Sequence, residues 1–128
     1  MDSSIPKHAA RSTRFIASLG AALCVVFSAQ AAVAGESGQV TITRMALASN
    51  LGELVHIKLS GMTSKGSCSN NSTWDYVLDT SNAWGKATYA MLLEARAAGR
   101  QVWISGTNLC PTNPLLNIEY VRSVTTYE

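Results

Sequence analysis

The 128-residue chain has no apolar run long enough to span a bilayer comfortably, only two histidines, and no excess of either charge beyond its N-terminal segment. Each shortage excludes something. The main apolar run, Phe15 to Phe27, falls short of the roughly 20 residues that a spanning helix needs. Lys7, Arg11 and Arg14 precede it and Ala32-Val33-Ala34 follows it. That order of basic segment, short apolar core and small-x-small site is the pattern of a secretory signal, so removal of residues 1–34 is expected. An N-terminal membrane anchor is the alternative. Cys24 follows Leu23 rather than a small residue, so no lipid attachment is read there.

Beyond residue 34, Lys58, Lys65, Lys86, Arg44, Arg96, Arg100 and Arg122 face Glu36, Glu53, Asp75, Asp79, Glu94, Glu119 and Glu128, seven against seven. A nucleic-acid binder draws most of its affinity from neutralising phosphates, and this balance provides no basic face for it. His56 is the one histidine left. It is expected on the exposed side of its strand, without a second His or a Cys near enough for a metal site or a nucleophilic triad. Asp75 and Asp79, four apart across a strand end, point in different directions and read as solvated positions rather than paired catalytic carboxylates. No catalytic residue, metal or cofactor is assigned.

With Cys24 gone, Cys68 and Cys110 form an even pair in an exported protein, and one disulfide is expected in preference to a reactive thiol. Closing that loop stabilises a domain by roughly 4 kcal/mol in the chain-entropy model, which matters for a chain under about 100 residues.

The remaining sequence reads as one domain, residues 35–128. "GQVTITRMALAS" alternates with Val40 and Ile42 on one face, then slips by one residue to Met45 and Leu47. A slip of one exchanges the faces of a strand, so a bulge near Arg44 is expected. "NLG" at Asn50 to Gly52 reads as a turn, and "ELVHIKLSG" as a strand with Val55, Ile57 and Leu59 inward. Met62 to Thr73 reads as a solvated loop that holds Cys68 and the overlapping sequons of "SNNST". Thr73 to Asp79 gives a third strand, and Ser81 or Asn82 caps a helix from Ala83 to Ala98 with Tyr89, Leu92, Leu93 and Ala97 on its buried side. Gly99 is placed for a left-handed C-cap, and Arg96 and Arg100 suit the negative end of the dipole. "RQVWISG" is a fourth strand with Val102 and Ile104 inward, and "LLNIEYVRSVTTY" a fifth after a loop broken by Pro111 and Pro114. Three strands, a helix and two strands, with a bent first strand, is the order of the OB-fold, a five-stranded Greek-key barrel. A small α+β sandwich and an open meander are the competing layouts.

"SGQVTIT", "CSNNSTW" and "AGRQVWI" resemble segments of the B subunit of subtilase cytotoxin and its pertussis-like relatives, in the same order along nearly all of residues 35–128. The resemblance implies a small exported OB-fold chain that forms a ring of five, binds sialylated glycans and delivers a separate catalytic A subunit. It places Ser37 at a sugar contact, and Gly106 where the family has a pocket tyrosine. Trp103 alternates outward from Val102 and Ile104, and serves as a ligand platform, a subunit contact, or a residue covered by the Cys110 loop.

The leading expectation is a non-catalytic, secreted or periplasmic binding module for a glycan or protein surface, with Ser37, Glu36 and Trp103 as contact residues. The alternative is a monomeric periplasmic structural or inhibitory protein that binds another protein's strand edge. An exported hydrolase ranks third, since it requires a site without histidine.

Overall fold

The computed structural model describes residues 32–113 and 116–128. The expected leader through residue 31, with Cys24, lies outside the described residues, as do Pro114 and the Leu115 start expected for the last strand. Among the described residues, no helix is long and apolar enough to cross a membrane.

Among the described residues the fold is mainly β, with one α-helix. Strands β1 (Ile42–Leu47), β2 (Leu54–Leu59), β3 (Tyr76–Asp79), β4 (Val102–Gly106) and β5 (Glu119–Thr126) form a mixed sheet in the order β1-β2-β3-β5-β4. Neighbours are antiparallel except β3 and β5, which run parallel through Tyr76 opposite Glu119 and Val77 opposite Tyr120. A parallel pair needs a crossover, and helix α1 (Ala83–Ala97) with β4 supplies it.

The phase slip in β1 is a bulge. Ile42 stands opposite Leu59 but Arg44 opposite Lys58, so Thr43 is the extra residue. Its hydroxyl donates to the Lys58 carbonyl at 3.0 Å. The bulge lets Ile42 and Met45, at odd spacing, both turn toward the main core. A second bulge sits opposite the end of β4, where Ser105 faces Ser123 and Gly106 faces Val121, leaving Arg122 unpaired in the register.

The segment before β1 runs back along β4. Val40 and Val102 exchange backbone hydrogen bonds of 3.0 and 2.7 Å, Ser37 donates to the Ile104 carbonyl at 3.0 Å, and Gly106 donates to the Gly35 carbonyl at 2.9 Å. These are isolated bridges rather than a continuous ladder, and they draw the two outer strands toward each other.

Between β1 and β2, Ser49–Leu51 forms one 3-10 turn that ends at Gly52, whose φ is +69°. Asn82 caps α1, its side chain accepting from the Gly85 N–H at 2.8 Å. At the other end the Arg100 and Gly99 N–H groups donate to the Ala95 and Arg96 carbonyls, with Gly99 at φ +67°, which is a Schellman ending. The buried stripe is Gly85, Thr88, Leu92 and Ala95; of the expected Tyr89, Leu92, Leu93 and Ala97, Leu92 is buried and Tyr89 packs partly buried against the main core. Leu93 and Ala97 are exposed. The reason is steric: Gly85 lies so close to the Asp79 carbonyl that its bare side must face the sheet, and this sets the rotation of the helix.

The main core joins Val55, Ile57, Leu59, Tyr76, Leu78, Leu92, Val102 and Ile104. A second cluster of Val77, Leu116 and Ile118, edged by Leu51, Leu54, Trp74 and Tyr120, covers the opposite face of β2 and β3. It corrects one expectation. His56 is 4% exposed, buried beneath Trp74 with ring centroids 5.5 Å apart, because residues far along the chain cover the side expected to be wet. The SNNST segment is a loop with Asn70, Ser72 and Thr73 exposed, as expected, and Asn71 anchors it: its side chain donates to the Leu116 carbonyl at 2.9 Å and accepts from the Thr73 and Trp74 N–H groups. This local turn delays β3 to Tyr76.

Asp75 is also buried, against expectation. It accepts from the Leu59 N–H at 2.9 Å and pairs with Lys58 at 3.0 Å and Lys65 at 3.3 Å, fixing the end of β2. Cys68 and Cys110 are joined as a disulfide, with Cα atoms 6.0 Å apart.

Candidate functional site

Strand alternation places Trp103 and Ser105 on the outer face of β4, and the β4–β5 register sets Thr125 and Ser123 opposite them. The Ser105 and Ser123 hydroxyls lie 2.6 Å apart. Tyr127 extends this row beyond β5, and Glu36 closes it from the segment before β1. These six side chains line an open groove of about 440 Å³.

Glu36 is held by its backbone: its N–H donates to the Ser64 carbonyl at 3.0 Å, and its carbonyl accepts from Thr63 and Ser64. From that position Glu36 Oε2 accepts a 2.6 Å hydrogen bond from the Trp103 indole N–H, while Trp103 remains 41% exposed. A bond from a neutral donor to a carboxylate is among the stronger kinds and orients both groups. Glu36 and Trp103 therefore share one groove.

Ser37 lies beneath it, 2% exposed. Its hydroxyl donates to the Gly38 carbonyl and accepts from the Ile104 N–H, both at 2.8 Å. Those bonds brace the strand that presents Trp103, and the side chain is turned away from solvent. Gly106 faces inward as well, since a β-carbon there would stand 2.0 Å from the Glu119 carboxyl carbon. No aromatic fits that position, and the groove's second ring comes from Tyr127 instead.

The groove offers a carboxylate acceptor, three aliphatic hydroxyls that both donate and accept, a phenol and an exposed indole face. That set matches a polyhydroxylated ligand with one apolar face. Sequence reasoning missed Ser105, Ser123, Thr125 and Tyr127. Alternation could have put each on the outer face of its strand, but their meeting depends on the β4–β5 register, which the sequence does not display.

A second cavity of about 300 Å³ lies against the outer cluster, between Ala46, Leu51, His56, Trp74 and Leu116. The Arg44 guanidinium sits 4.3 Å over the Trp74 ring, a cation–π contact. Burial lowers the His56 pKa below its ordinary value, partly offset by a backbone hydrogen bond at Ala46, and so favours the neutral imidazole. Tyr76, whose hydroxyl donates to the Ile104 carbonyl at 3.2 Å, has its pKa raised by burial and by Glu119, Glu36 and Asp75. Among the described residues, no group of three or more His, Cys, Asp and Glu side chains is placed to hold a metal.

Fold and site together define a small, mainly β, disulfide-bonded protein with a groove of hydroxyls, a carboxylate and aromatic rings. Compared with protein-family models, curated proteins and solved structures, the chain matches none.

Proposed function

We propose that this chain is an exported, non-catalytic binding module of the OB-fold type that holds a glycan in the Glu36–Trp103 groove. The observation that carries the reading is the 2.6 Å indole-to-carboxylate bond, which fixes an exposed aromatic face beside a row of hydroxyls. Sugars present alternating hydroxyl edges and C–H faces. An acceptor locked next to an aromatic platform recognises both at little entropic cost.

The OB-fold assignment is supported by the strand order β1-β2-β3-β5-β4, the parallel β3–β5 pair, the helix between β3 and β4, and the bridges from residues 35–40 to β4. Export, to the periplasm or beyond the cell, is supported by the secretory pattern in residues 1–34 and by the disulfide. A toxin-B-like ring of five that serves a separate catalytic subunit extends the same reading.

The test is a sialoglycan-containing array probed with the oxidised protein and with Trp103→Ala. Binding that falls at least tenfold in the variant supports the assignment. Array binding that Trp103→Ala and Glu36→Gln leave unchanged would refute the groove. Silence on every glycan, with capture of a protein strand instead, would favour the edge-binding alternative.

A further inference from the structure

Glu119 is the most deeply buried charged side chain described, with no exposed surface. Its carboxylate accepts from the Gly35 N–H at 2.9 and 3.2 Å, from the Gly66 N–H at 3.1 Å, and from the Asn108 N–H. Among the described residues, no Lys, Arg or His side chain makes an ion pair with it. Three amide donors soften the burial of a carboxylate, but a buried charge without a counter-ion is costly.

The one amide that meets both oxygens of that carboxylate belongs to Gly35, the residue that directly follows Ala32-Val33-Ala34. We propose that the Ala34–Gly35 bond is a maturation site, and that cleavage delivers the new α-ammonium of Gly35 to Glu119 as its missing counter-ion. The proposal rests on the exported reading, which supplies a leader peptidase. Water adds across the Ala34–Gly35 amide; the C–N bond breaks, Ala34 keeps a carboxylate, and Gly35 leaves as an ammonium with both protons of the water accounted for. The ammonium then has three N–H donors where the amide had one, with both Glu119 oxygens already within 3.2 Å.

Two further observations fit this role. Val33 is exposed and Ala34 half-buried, so burial falls away from Gly35 across the scissile bond. Gly35 itself is buried, and a β-carbon there would stand 2.6 Å from Glu119 Oε2 and 2.7 Å from the Gly66 nitrogen, so only glycine brings its nitrogen this close. The next residue is Glu36, the acid of the groove, and its bridges to Ser64 and Ser105 begin one residue past the new terminus. Anchoring Gly35 therefore orders the groove as well.

The experiment uses the full chain, carried through export by its own leader, and a second full chain with one serine inserted between Ala34 and Gly35. Cleavage of the second leaves an extra residue ahead of Gly35 and moves the ammonium away from Glu119. Intact-mass analysis is expected to find Gly35 first in the native product, and the native product is expected to melt about 5 °C or more above the insertion product. Glu119→Gln should abolish that gap. Should Glu119→Gln fail to fold, Nα-acetylation of the native product, which restores an amide at Gly35, should abolish it instead. Equal melting temperatures, or a gap that survives both changes, would overturn the ion pair. A mature chain that begins elsewhere would overturn the cleavage site, and a chain retained unprocessed inside the cell would overturn the exported reading itself.

Discussion

Replacing Gly85 by alanine sets two ordinary effects against each other, and the structure decides between them. In a helix interior, alanine is better than glycine by about 1 kcal/mol, so propensity alone makes Gly85→Ala stabilising. Yet a β-carbon at Gly85 would stand 1.8 Å from the Asp79 carbonyl oxygen and 3.0 Å from the Thr80 Cα, against the roughly 3.5 Å of normal nonbonded packing. Both obstacles are backbone, so no side chain can swing aside. Relief requires moving the N-terminal turn of α1 off β3, and overpacking of this kind costs about 1–3 kcal/mol before the propensity gain is subtracted. The expected net loss is about 1 kcal/mol, or roughly 5 °C in melting temperature for a domain of this size. Thermal and urea unfolding followed by circular dichroism measure it. Ala90→Gly, at an exposed position of the same helix, serves as the propensity control and should lose about 1 kcal/mol. A Gly85→Ala protein that melts at or above the parent would refute the close packing of α1 on β3.

The disulfide predicts that a Cys68→Ala, Cys110→Ala double variant loses about 4 kcal/mol in a urea titration, since the bond closes a loop with a sequence separation of 42. Asp75→Asn keeps the shape of the side chain but removes the charge facing Lys58 and Lys65. A loss of about 1–3 kcal/mol is expected in the same titration, because Asp75 is buried and also accepts from the Leu59 N–H. His56 has its pKa lowered in the folded state, so below pH 6.5 the unfolded chain takes up a proton that the folded chain resists. Its contribution to stability is complete above pH 6.5 and is lost as the pH falls toward the folded value; His56→Gln should therefore flatten the decline in unfolding free energy between pH 7.5 and 5.

Much of the fold could be read from local pattern. The slip from Ile42 to Met45 marked the bulge at Thr43, Asn82 and Gly99 marked the ends of α1, and the two remaining cysteines marked the crosslink. What stayed hidden depends on distant chain. His56 and Asp75 read as wet because strand alternation set each on the side opposite its apolar neighbours, Val55 and Ile57 in one case and Trp74 and Tyr76 in the other. Their cover comes from Trp74, Leu116 and Ile118 in one case and from Lys58 and Lys65 in the other. The rotation of α1 escaped because apolarity favoured Leu93, whereas a steric approach at Gly85 decided it.

The site divides in the same way. Glu36 and Trp103 were recognisable as chemistry, and the fold brings them within 2.6 Å. Ser37, grouped with them, turns inward to hold the Ile104 N–H. Glu119 gave no local signal at all. Its importance comes from three glycines, Gly35, Gly66 and Gly106, that leave room for its carboxylate from three separate parts of the chain.

The central claim is that the Glu36–Trp103 groove binds a glycan. The most direct measurement is Trp103-dependent binding by the mature, oxidised protein, read on a glycan array and repeated with Trp103→Ala. A defined set of glycans is expected to bind the parent and to lose at least tenfold in the variant. Equal binding by parent and variant to those same glycans would contradict it.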